Sequence, residues 1–104
     1  MSLRDDIFAA VPRRQTATVT LDGKAITLSV RVSTMAEYDA EMKKIRTASA
    51  EETAAVMAGW YFDPATGGPV FSAEDFAALP LSVIRQLMQL YTDVNSGTVA
   101  AKNA

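Results

Sequence analysis

From Thr16 to Val32 apolar and polar residues alternate with a period of two. Ala17, Val19 and Leu21 are separated by threonines, and Ile26, Leu28, Val30 and Val32 by Thr27, Ser29 and Arg31. Such alternation marks half-buried strands. Between the two runs sits Asp22-Gly23, a pair suited to the type I′ turn, in which both central residues need positive φ. A two-residue turn sets Leu21 opposite Lys24, Val19 opposite Ile26 and Ala17 opposite Leu28, so the apolar residues of both strands share one sheet face. Turn chemistry and periodicity therefore predict the same antiparallel hairpin.

Elsewhere the apolar period lengthens to that of a helix. Ile7, Phe8 and Val11 share a helical face with Leu3 or Arg4 until Pro12 interrupts, which predicts a short N-terminal helix or turn. Thr34 followed by Glu37 fits a capping box and opens a helix with Met35, Tyr38, Met42 and Ile45 on its apolar stripe. Ser49 and Glu52 repeat the signal ahead of a second short helix, which Gly59 ends. Trp60-Tyr61-Phe62, the turn-forming run Asp63 to Pro69 and Val70-Phe71 predict a second, short hairpin with a wide loop. Ser72 and Asp75 begin a helical turn that carries Phe76 and Leu79 inward. Pro80 then sits in the first turn of the last helix, where its missing amide hydrogen costs nothing. From Leu81 to Asn95 the stripe Val83, Ile84, Leu87, Met88, Tyr91 and Val94 is the clearest amphipathic pattern in the chain.

Together these elements predict an α+β fold, with an N-terminal antiparallel β-hairpin packed against several α-helices, a second short hairpin and a C-terminal amphipathic helix. A length of 104 residues, 49% hydrophobic and 21% charged, suits one core spanning residues 1–97. Residues 98–104, with Val99 as their one sizeable apolar side chain, read as a flexible tail.

The net charge of −2 matches a phosphate backbone poorly, so nucleic acid is not an expected partner, and the basic spots Arg13-Arg14 and Lys43-Lys44-Arg46 read as solvated charge. No apolar run approaches membrane-spanning length and no signal-peptide centre is visible, so a cytoplasmic protein is expected. The sequence contains neither cysteine nor histidine. That removes thiolate chemistry, the commonest general base and the commonest zinc ligand, and no cofactor is expected. The carboxylate pairs Asp5-Asp6, Glu51-Glu52 and Glu74-Asp75 lie at predicted helix starts, where the macrodipole favours negative charge. The loop Asp63 to Gly68 lacks the lysine and spacing of a phosphate-binding loop. What remains is Trp60-Tyr61-Phe62. In a strand three consecutive aromatics cannot all face one core, so these residues are either buried on two covered faces or a partner-binding site.

The order of these pieces resembles the small tail assembly chaperones of long-tailed bacteriophages and prophages. The residues that carry the likeness are the hairpin Thr18 to Lys24 running into Leu28 to Ser33, and the helix start Met35-Ala36-Glu37-Tyr38. The second half adds Asp63-Pro64 through Gly68-Pro69-Val70-Phe71-Ser72-Ala73-Glu74-Asp75, then Leu79-Pro80, the helix ending Val94-Asn95, and the close Ala101-Lys102-Asn103. The resemblance implies a non-enzymatic role in the bacterial host cytoplasm, binding the tape measure protein during tail assembly. Other tail proteins are further partners it allows, and self-association is left open. The alternative is a structural tail or head component retained in the particle.

Overall fold

The computed structural model describes residues 2–10 and 12–96. In chain order the elements are helix α1 (Leu3–Ala10), strands β1 (Arg14–Leu21) and β2 (Lys24–Arg31), helices α2 (Met35–Thr47) and α3 (Ala50–Ala58), strand β3 (Tyr61–Phe62), and helices α4 (Ala73–Ala77) and α5 (Leu81–Ser96). This is an α+β fold. The expected tail over 98–104 and the place of Val11 on the first helix lie outside the described residues.

The hairpin has the register that the alternation predicts: Leu21 pairs with Lys24, Val19 with Ile26 and Ala17 with Leu28. Asp22 and Gly23 adopt φ of 51° and 78°, as a type I′ turn requires. Both capping boxes close. Thr34 accepts from the Glu37 amide while the Glu37 carboxylate accepts from the Thr34 amide, and Ser72 and Asp75 repeat the exchange at α4. At α3 Ser49 accepts from the Glu52 amide, and its hydroxyl donates to the Glu52 carboxylate. Gly59 ends α3 in right-handed geometry (φ −72°), so it supplies a tight turn rather than a left-handed cap. Pro80 stands one residue ahead of α5, its carbonyl accepting from Val83 and Ile84.

One expectation changes. The second hairpin shrinks to one bridge between Phe62 and Pro69, and Tyr61–Phe62 instead joins the first hairpin as a third antiparallel strand in the order β1-β2-β3. Val30, fully buried on β2, faces Tyr61, so the gain in packing lies on the long hairpin rather than across the wide loop. The N-terminal helix forms but buries none of its residues.

The core lies under one face of the sheet. Ala17, Val19, Leu28 and Val30 pack with Leu87, Leu90, Tyr91 and Val94 of α5, with Ala54, Met57 and Ala58 of α3, and with Trp60, Tyr61 and Phe76. Leu90 joins the stripe read from the sequence.

A side-chain Cβ at Gly23 would meet nothing within 4 Å, so substitutions there act through backbone strain alone. Gly23→Val should cost about 1–3 kcal/mol and lower the melting temperature, whereas Gly23→Asn, which tolerates positive φ, should lose much less. Thermal melting checks the order; equal midpoints for the two variants would contradict the turn.

Candidate functional site

Trp60, Tyr61 and Phe62 do not form an exposed patch. Trp60 and Tyr61 are both 0% exposed, and Phe62 is half-buried. The alternation that argued for an exposed aromatic holds only for the two strand residues. Tyr61 faces the core, while Phe62 lies beneath the Arg14 guanidinium at 3.5 Å from its ring centroid. Trp60 precedes the strand. Its amide bonds back to the Met57 carbonyl in the turn leaving α3, and its carbonyl accepts from the Arg31 amide. Freed from strand geometry, the indole lies flat against Tyr91, with ring centroids 3.8 Å apart, and Tyr91 stacks in turn on Tyr38 at 6.1 Å.

The polar tips of the buried aromatics Trp60, Tyr91 and Tyr61 are answered. Trp60 Nε1 donates to Glu41 Oε2 at 2.7 Å, the Tyr91 hydroxyl meets Ser33 Oγ at 2.6 Å, and the Tyr61 hydroxyl donates to the Leu87 carbonyl. Asn95 ties the end of α5 to β2: its side-chain amide donates to the Arg31 carbonyl, and its oxygen accepts from the Ser33 amide at 2.7 Å. Arg31 bridges Glu37 and Glu41. The second Glu41 oxygen makes no hydrogen bond and lies 3.5 Å from Arg31 Nη1, so it is balanced by charge alone. Burial pushes the Tyr61 hydroxyl well above the usual phenol range and raises the Tyr91 hydroxyl above its ordinary value. The Thr34 cap and Arg31 hold Glu37 below the ordinary carboxylate range.

The carboxylates singled out in the sequence stand in the first turns of α1, α3 and α4. Among the described residues no group of three or more acidic side chains converges as a metal site. In the Asp63–Gly68 loop the amides of Ala65, Gly67 and Gly68 bond to Asp63 Oδ1, the Asp63 carbonyl and Thr66 Oγ1, so they are turned inward on the loop itself.

The apolar surface lies elsewhere. On α1 Leu3, Ile7 and Phe8 are 74%, 56% and 67% exposed, and Met35 at the start of α2 is 89% exposed although its spacing places it on the apolar stripe. Met35 lines a cleft of about 480 Å³ with Tyr38, Ser33 and Asn95. Sequence reasoning found the α1 stripe but did not mark it as a site. The signal was its length, because eight residues closed off by Pro12 are too few to hold a helix without packing.

Compared with protein-family models, curated proteins and solved structures, the chain finds no match.

The raised tyrosine values carry a sign. The unfolded chain releases these phenolic protons more readily than the folded one, so their contribution to stability is complete below about pH 10 and declines as pH rises through it. Absorbance near 295 nm should show Tyr61 ionising only as the fold opens, and Tyr91 ionising above the ordinary tyrosine range. Ionisation of all three tyrosines near pH 10 with an intact circular dichroism spectrum would contradict their burial.

Proposed function

We propose that this chain is a non-enzymatic tail assembly chaperone of a bacteriophage or prophage, which binds the tape measure protein before the tail tube encloses it. The observation that supports this reading is the apolar stripe of α1: Leu3, Ile7 and Phe8 project from an N-terminal helix that buries none of its own residues. A long helical client exposes apolar surface before assembly and aggregates through it. An amphipathic helix offering leucine, isoleucine and phenylalanine covers such surface by the same contacts that form helix–helix interfaces. Each large side chain so buried contributes roughly 1.5–3 kcal/mol. The partner in return stabilises a helix too short to persist alone. A net charge of −2 gives little long-range steering, so apolar contact carries the affinity. This role moves the contact surface from the aromatic triplet to the N-terminal helix.

Co-expression with the long tail-length protein encoded beside it provides the test. The wild-type chain should keep that client soluble and co-purify with it in moderate salt. Ile7→Asp combined with Phe8→Asp should lose the client while changing folding stability by less than about 0.5 kcal/mol, since both positions are exposed. A client equally insoluble with and without the chain, together with stoichiometric amounts of the chain in mature particles, would assign it to the structural components of the tail or head.

A further inference from the structure

Among the described residues the sheet has one long free edge. β1 is eight residues long and outermost in the order β1-β2-β3. Closure by a two-residue turn makes Leu21 and Lys24 a hydrogen-bonded pair, so alternate residues Val19, Ala17 and Gln15 direct their main-chain groups toward β2. The bond from the Val32 amide to the Arg13 carbonyl, at 2.8 Å, continues the same phase beyond the strand. Thr16, Thr18 and Thr20 therefore direct both N–H and C=O away from the sheet, and all three are exposed. Natural edges are blunted by bulges, prolines or charges. None of these interrupts β1: pairing runs unbroken from Arg14↔Arg31 to Leu21↔Lys24, and no proline or charged residue occurs from Gln15 to Leu21.

We propose that two copies of this chain pair antiparallel through the β1 edge, about a two-fold axis at Thr18, joining two three-stranded sheets into one. The edge complements itself. Thr16-Ala17-Thr18-Val19-Thr20 reads nearly the same in both directions, so the axis sets Thr16 opposite Thr20 of the second copy, Thr18 opposite its own equivalent, and Ala17 opposite Val19. Outward-facing main-chain groups meet outward-facing groups, giving about six new hydrogen bonds. On the outer face threonine meets threonine, the contact that Thr18 Oγ1 already makes with Thr27 Oγ1 across the hairpin at 3.0 Å. On the inner face α5 packs against β1, and a cleft of about 260 Å³ between the edge and Gln86, Gln89 and Asp93 of α5 gives the second copy's flank a place to seat. Strand and flank together bury on the order of 1,000 Å², the small end of specific interfaces. A charge of only −2 per chain opposes the pairing weakly. This inference does not depend on the chaperone reading and is tested without a client.

Sedimentation of the purified chain between about 5 and 200 µM spans the range in which an interface of this size dissociates. It is best done on the Ile7→Asp/Phe8→Asp background, which removes association through α1. The expected result is a concentration-dependent dimer that Thr18→Lys weakens at least about tenfold, by setting two ammonium groups across the axis, and that Thr18→Val preserves. Hydrogen exchange on the unsubstituted edge gives a second readout: the amides of Thr16, Thr18 and Thr20 should slow with concentration, while those of Ala17 and Val19 do not change. A chain monomeric throughout overturns the proposal. So does a dimer whose edge amides stay fast, which would place the contact elsewhere, and so does an edge protected only when a foreign extended peptide is added.

Discussion

The fold depends on the need to satisfy the buried aromatics Trp60 and Tyr91 at both their faces and their polar tips, with half-buried Tyr38 at the end of the column. Trp60, Tyr91 and Tyr38 come from the turn after α3, from α5 and from α2, and they stack in that order. Dispersion and area burial draw such rings together, but an indole N–H or a phenol left without a partner would offset much of that gain. Glu41 and Ser33 supply the partners, and Arg31 balances the charge that Glu41 brings. One cluster thus fixes the end of β2, the start of β3, one face of α2 and the last turns of α5.

That arrangement determines what is left outside. Because the sheet is covered on its inner face and β3 pairs with the end of β2, the β1 edge and α1 are left without an intramolecular partner among the described residues. They differ in kind. The edge offers main-chain hydrogen bonds and a self-complementary run of small side chains, whereas α1 offers three large apolar side chains on a helix. On the proposed reading, self-pairing and client binding use separate surfaces, and neither draws on the aromatic column that holds the body together.

Local signals made much of this legible in the sequence. Asp22-Gly23 fixed the turn type and hence every pairing of the hairpin, and Thr34/Glu37 and Ser72/Asp75 marked two helix starts, because the atoms that decide these features lie within three or four residues of each other. The failures were non-local. Pairing of Tyr61 with Val30 and burial of Trp60 depend on β2, Glu41 and Tyr91, which no periodicity within a two-residue strand announces. Three adjacent aromatics therefore left burial and partner binding both open in the sequence, and two of them form the interior. Met35 shows the reverse error: the spacing is helical and apolar, yet its side chain in the first turn of α2 is left exposed.

The central claim is that client recognition belongs to α1 while the aromatic column stays closed. Hydrogen exchange on the chain mixed with the proposed tape measure client measures both at once. The account predicts that the amides of Leu3–Ala10, unprotected in the free chain, slow by at least about tenfold in the complex as a marginal helix becomes a packed one, while exchange around Trp60 and Tyr91 is unchanged. Protection confined to β3 and α5, with α1 still exchanging as in the free chain, would contradict it.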